Sequence, residues 1–236
     1  MSLRYRRLMS SYKKAVGISA PTDIAGCEFW FDFSDADTLF TDAGITKVSN
    51  NGDSIAQAND KSGNDNNIKV HPDGTSPLYT TNYKNDLSVA HFTAANSLLI
   101  NISPYSLSYP NTVFIVGDYG SGKVFTDNGR NCESLRSYNM YSGAYLEYTN
   151  IVNREVLISV LFNTETNVYQ NGILDATGSC GTSGMSGIGL GARYDLWNGG
   201  EGLPSYAYEY IAYNRNLLDV DRQSVEAYLN NKWSIY

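Results

Sequence analysis

The strongest constraint on this chain is a succession of short apolar runs, each bounded by polar turn residues. EFWFDF (28–33), VAHF (89–92), LLINI (98–102), TVFIV (112–116), VLISVLF (156–162) and NVYQNGILDA (167–176) have the length and the aromatic or β-branched content of strands. GIGLGARY and YAYEYIAY add two more near the C-terminus. Within NVYQNGILDA, Asn171-Gly172 separates two apolar segments. A type I′ turn needs positive φ at both central positions, so this dipeptide predicts a hairpin. Composition agrees, with 19 Tyr and 21 Gly. Aromatic side chains fit a pleated surface and Gly supplies tight turns. Many strands with few helices predict an all-β antiparallel sandwich, not a parallel sheet. A chain of 236 residues is long enough to bury its core.

Two segments depart from this pattern. At the C-terminus, Val225, Leu229 and Trp233 recur at every fourth position, which predicts one closing amphipathic helix. Asp219 is placed to cap it, Asp221 near its positive end and Lys232 near its negative end. At the N-terminus, Leu8, Tyr12 and Val16 form a similar stripe, with Arg4, Arg6 and Arg7 beside it, before Pro21 and Gly26 break the pattern. The chain therefore divides into residues 1–25, a basic docking arm, and residues 26–236, a sandwich domain. A frayed terminal tail is the structural alternative for the arm.

Charge separates the same two parts. The first 14 residues hold five of the 17 basic side chains and no acid, so the body carries 12 basic against 24 acidic residues. An acidic body argues against nucleic acid as a partner, since phosphate binding needs clustered Lys and Arg. No apolar run approaches the ~20 residues of a membrane span. The basic N-terminus lacks the apolar stretch of a secretion signal. Cys27, Cys132 and Cys180 lack paired spacing and are expected to be free, buried thiols.

Gly117 to Lys123 spells G-x-x-x-x-G-K, the spacing of a phosphate-cradling loop. A working loop has Ser or Thr after the Lys and runs into a helix; here Val124 follows, in a β-like segment. DYGSG is accordingly expected to be a hairpin joining TVFIV to KVFTD. His71 and His91 are isolated, and G-x-S-x-G and the paired-acid strand patterns of laminarinase-type sandwiches do not occur. No catalytic constellation emerges. Sugar recognition instead needs aromatic faces beside hydrogen-bonding groups. RYDLWNGGEGLPSY (193–206) offers Tyr194, Asp195, Trp197 and Asn198, and NMYSGAYLEY (139–148) offers Tyr141 and Tyr145. Core or hairpin packing is the structural alternative for these aromatics, and a protein interface is another use for them.

Six segments, in order, resemble the concanavalin A-like jelly rolls of the laminin G type, as found in phage virion and bacterial surface proteins. FWFDFSDADTLF is similar to the opening W-x-D-A-S-D-x-x-T-L strand, and NDKSGNDNN to the D-K-S-G-N-x-N loop. TVFIV resembles the central strand, NVYQNGIL the Y-x-N-G hairpin and GIGLGARY the glycine-rich strand. YEYIAYNRNLLDVDRQSVEAYLNNKW resembles the closing strand and helix. The resemblance implies a two-sheet antiparallel jelly roll that binds and does not catalyse. It also implies a structural calcium ion near the DKSGN loop, with Asp60, Asn64 and Glu209 as candidate oxygen ligands. Asp32, Asp35 and the Asn214-Arg215 pair have plain structural alternatives as turn caps and as a strand-to-helix corner.

The expectation is a non-enzymatic virion component (decoration, fibre or receptor-binding), assembled in the host cytoplasm. Its arm would dock on capsid or tail proteins, and its sandwich would contact a cell-surface glycan. The alternatives are a free-standing bacterial lectin and, behind it, a glycoside hydrolase. A homo-oligomer fits a displayed protein, but no residue specifies one.

Overall fold

The computed structural model describes residues 17–101, 105–120, 124–129, 132–195, 202 and 205–236. The arm residues Arg4, Arg6, Arg7, Leu8, Tyr12 and Val16 lie outside them.

Two antiparallel sheets face each other. The first runs, in spatial order, β15 (Ile173–Gly178), β14 (Thr166–Gln170), β13 (Arg154–Phe162), β8 (Asn111–Tyr119), β17 (Ser205–Tyr213), β6 (Leu87–Phe92) and β5 (Leu78–Lys84). Strand β1 (Cys27–Asp32) also pairs with β17, beyond the end of β6. The second sheet runs β12 (Tyr145–Glu147), β11 (Asn139–Tyr141), β10 (Ser134–Arg136), β9 (Val124–Asp127), β16 (Ile188–Leu190), β7 (Leu99–Asn101), β4 (Ile68–Val70), β3 (Gln57–Ala58) and β2 (Leu39–Phe40). One α-helix, α1 (Asp219–Trp233), closes the chain. The architecture is the all-β two-sheet sandwich that the strand pattern predicts.

Alternation along β1 shows how the sequence builds it. Phe29, Phe31 and Phe33 enter the core between the sheets, with Val113, Ile115, Leu99 and Leu190. Trp30 points the other way, into a second cluster where Phe114, Val116, Tyr208 and Ile211 meet Val225, Leu229 and Trp233 of α1. Successive strand residues face opposite sides, so one run of aromatics supplies both layers. Asn171 (φ 52°) and Gly172 (φ 75°) form the predicted turn between β14 and β15.

A charged network joins β1, β17, α1 and the 60–67 loop. Glu209, fully buried, accepts hydrogen bonds from Trp30 Nε1 and Trp233 Nε1, both at 2.8 Å, and pairs with Lys232 Nζ at 2.7 Å. Lys232 also reaches Asp32 at 2.8 Å. Lys61 joins Asp32 (3.0 Å) to Asp35 (2.6 Å), with its ammonium 4.4 Å from the centre of the Trp30 ring. Burial opposes the charge on Asp32, but Lys232 and Lys61 outweigh it and hold its carboxyl below the ordinary value. Glu209 goes the other way, pushed up to about 7 by burial and then by Asp32, against the pull of Lys232. Asp32 and Asp35 also serve as turn caps, accepting from the Ser34 and Asp37 N–H groups. Arg215 ties the strand-to-helix corner to Asp221 (2.9 Å) and to the Ala25 carbonyl (3.0 Å).

Three local expectations are corrected. DYGSG is not a hairpin: both edges of β8 are taken, by β13 and β17, so the chain crosses to the other sheet and β9 pairs with β10 and β16. Asp219 is the first helical residue and not the cap; Leu218 stands at the N-cap without a side-chain bond, and Asp219 meets Arg222 at 3.4 Å. Of the three cysteines expected to be buried, Cys180 is, whereas Cys27 and Cys132 are only partly buried.

Glu133, at the foot of β10, is the other fully buried acid. Its Oε1 accepts from Asn111 Nδ2 at 2.7 Å, and its Oε2 has no partner. Burial pushes its carboxyl up to about 8, and the Asn111 bond only partly offsets this. The folded state therefore loses stability as pH rises from the ordinary value of 4.5 through about 8, because only the unfolded chain ionises freely in that window. Glu133→Gln should gain on the parent across this window and keep a constant advantage above it, read as urea midpoints. Equal midpoint differences at acid and alkaline pH would contradict the assignment.

Candidate functional site

The candidate site lies on the outer face of the second sheet. In NMYSGAYLEY, Met140 is fully buried and its cross-strand partner Leu146 packs on the same core. Their neighbours must therefore face outward. Tyr141 and Tyr145 are directly opposite each other across β11 and β12, with ring centres 5.0 Å apart and planes at 57°. Tyr145 is 58% exposed. Tyr141 pairs in turn with Ser134 on β10, and Ser134 with Asp127 on β9. Leu135 fills the core beside Ser134, which fixes the whole rung of Asp127, Ser134, Tyr141 and Tyr145 on the outer side.

Arg136 stands on the same side, two residues beyond Ser134, and its guanidinium carbon is 5.7 Å from the centre of the Tyr145 ring. The position is anchored from within, since the buried Tyr148 donates its hydroxyl to the Arg136 carbonyl. From β16 the chain returns to the rung through Arg193, Tyr194 and Asp195. The Tyr194 N–H donates to Asp127 Oδ2 at 3.4 Å, and Arg193 Nε pairs with Asp195 Oδ1 at 3.2 Å. The Tyr194 side chain rests on Leu98, Ile100 and Ala192. Register thus sets Tyr141 and Tyr145 on one rung with Asp127, two and three strands away, while the Tyr194 N–H and Asp195 act on Asp127 directly. Trp197 and Asn198 lie outside the described residues.

Asp127 is the electrostatic centre of the face. Burial pushes its carboxyl up to about 6; the Tyr194 N–H, Arg193 and Arg136 pull it down in part, and Asp195 adds a smaller upward push. Arg136 and an aromatic pair on a face that also carries the Asp127 carboxyl suit a polar ligand with apolar C–H surfaces. Phenol rings pack on those surfaces, while Arg supplies directed donors to oxygen. Neither Asp127 nor Arg136 stands out in the sequence, where VFTDNGR and SLRSYN read as turn-rich segments. The available signal is the inward Leu135, from which Ser134 and Arg136 follow as outward residues.

The residues suggested as calcium ligands do not share one shell. The Asp60 carboxylate already accepts from the N–H groups of Trp30, Ser62 and Asn66 and from the Ser62 hydroxyl. Asn64 turns its Nδ2 onto the carbonyls of Cys27 and Glu28. Glu209 is enclosed by Trp30, Trp233 and Lys232. A calcium ion needs six to eight open oxygens, and this set offers a loop brace and a lysine-paired carboxylate instead. Among the described residues, no three His, Cys, Asp or Glu gather as a metal site, and no helix is long and apolar enough to cross a membrane.

No protein-family model and no curated protein matches the chain. Solved structures do. The receptor binding domain of botulinum neurotoxin D has a TM-score of 0.55 at 13% identity, over 88% of this chain and 53% of that one. A structure titled for cell entry of botulinum neurotoxin type C, dependent on two ganglioside molecules, has 0.53 at 12%, over 88% and 52%. The binding domain of Paraclostridial Mosquitocidal Protein 1 has 0.51 at 16%, over 90% and 53%. The chain spans about half the length of each, and at such identities the likeness is one of fold.

The contact between Arg136 and Asp127 has a direct readout. Arg136→Ala should move the Asp127 titration midpoint upward from about 6, followed by carboxyl carbon NMR. An unmoved midpoint would mean that the guanidinium charge does not reach the carboxyl.

Proposed function

We propose that this protein is a non-catalytic adhesion module whose sandwich recognises glycan on the outer face of the second sheet. The observation that carries this reading is the register that sets Tyr141 against the exposed Tyr145, beside Arg136, on the same face as the buried Asp127. Support also comes from the fold, since the neighbouring solved structures are receptor-binding domains and one is named for its dependence on gangliosides. In this reading sugar C–H faces stack on the tyrosines, and hydroxyl or carboxylate oxygens take the Arg136 donors. Catalysis has no part in it, because recognition needs only pre-set donors and apolar faces.

Tyr145→Ala and Arg136→Ala should each weaken glycan binding by about tenfold, corresponding to about 1.4 kcal/mol of lost contact. The measurement is calorimetry on the full chain, with ligands taken from a glycan array. Unchanged affinity in both variants would remove this face from consideration.

The finer proposal is that the basic segment over residues 1–25 attaches the module to the capsid or tail proteins of a virus particle. Five basic side chains and no acid within the first 14 residues supply the charge for such docking, and an apolar stripe at every fourth position supplies the fit. Replacing Arg4, Arg6 and Arg7 together by Glu should abolish recovery of particle proteins from infected lysate while leaving glycan affinity intact. Recovery unchanged by the reversal would overturn the docking role.

A further inference from the structure

The DKSGNDNN loop, residues 60–67, uses most of its donors to hold itself in place. The Asp60 carboxylate accepts from both Ser62 donors and from the Asn66 N–H, and the Asp60 N–H donates to Asn67 Oδ1. Asn64 and Asn66 donate from Nδ2 to the Glu28 carbonyl at 3.1 and 2.8 Å. Among the described residues, their own Oδ1 atoms accept no hydrogen bond. Asp65 is exposed, with φ 62°, and among the described residues neither its carboxylate nor the Asn101 side-chain amide has a hydrogen-bond partner.

These groups border an open cleft of about 490 Å³, whose walls include Glu28, Asn64, Asp65, Asn66, Asn101 and the buried Tyr105. A second cleft of about 480 Å³ adjoins it, with Asp65 and Asn101 as the shared wall, and adds Asn67, Lys69, Val70 and Ile100. The two lie side by side, bordered by side-chain amides, with apolar patches at Tyr105, Val70 and Ile100.

We propose that this double cleft is a second binding site, for a neutral polyhydroxyl ligand such as an uncharged oligosaccharide of roughly two or three units. Side-chain amides offer donor and acceptor together, which matches hydroxyl groups that are both. The apolar patches receive C–H faces. An anionic ligand is disfavoured, because the lining of the two clefts holds Glu28 and Asp65 against one cation, Lys69. A metal ion is disfavoured by the same lysine and by the few carboxylates in reach. The ligand class follows from the glycan reading above, but the site does not share residues with the tyrosine face and the two can fail separately. The latter, with Arg136, tolerates acidic sugars; the amide cleft rejects them.

The test titrates the full chain with neutral trisaccharides of glucose, mannose or N-acetylglucosamine, and separately with a sialylated trisaccharide and with calcium chloride, following side-chain amide signals by NMR. A neutral trisaccharide should shift the Asn101 and Asn67 amides. Asn101→Ala and Asp65→Asn should each weaken that binding by about tenfold, and Tyr145→Ala should leave it unchanged. Asp65→Asn guards against misfolding, since the position is exposed and Asn accepts the left-handed conformation. The proposal falls if no neutral sugar moves these signals, if calcium alone moves them, or if the sialylated sugar binds as well as its neutral counterpart. Binding lost with Tyr145→Ala but kept with Asn101→Ala would overturn this site and leave the tyrosine face standing. The reverse pattern would leave the cleft and remove the face.

Discussion

The Lys232 ammonium, held between Asp32 and Glu209, is the contact on which the arrangement of layers depends. Glu209 lies on the central strand of the first sheet, where a carboxylate is costly unless paired. Lys232 comes from the last turn of α1, and the helix delivers Trp233 to the same carboxylate. Seating the helix therefore satisfies the acid, and satisfying the acid fixes the helix. Removing the lysine would leave a buried charge exposed to its own desolvation cost, about 3–5 kcal/mol for pairs of this kind. Helix α1 covers the outer face of the first sheet, and the outer face of the second carries the exposed Tyr145.

Much of this fold is legible in the sequence. The F-W-F-D-F alternation gives both layers of β1, Asn171-Gly172 gives the hairpin, and the spacing of Val225, Leu229 and Trp233 gives the helix. Each of these depends on near neighbours in the chain. The features that escape depend on distant ones. Lys232 and Asp32 are 200 positions apart, and nothing in either local segment announces the other. DYGSG reads as a hairpin because its flanks are apolar; only the occupancy of both β8 edges sends the chain across to the other sheet.

The binding face shows the same division. Tyr141 and Tyr145 are visible as aromatics in a turn-rich loop, and the inward Met140 makes them outward. Asp127 and Arg136 are invisible until strand register places them on the same face. The DKSGN loop is a motif whose meaning changes with structure: Asp60 and Lys61 brace the fold, while the residues after them rim the amide cleft. Signature residues and the residues of the proposed cleft are thus neighbours in sequence with separate work to do. The module then presents two surfaces of different chemistry, one aromatic and guanidinium-bearing, the other amide-rich and mildly acidic.

The most direct test of the account is the structure of the full chain with a bound oligosaccharide. The account predicts a sugar ring against Tyr145, with one of its oxygens within hydrogen-bonding distance of Arg136 and the glycan intact. A sugar bound only on the first sheet or beside α1, or a cleaved glycan in the site, would contradict it.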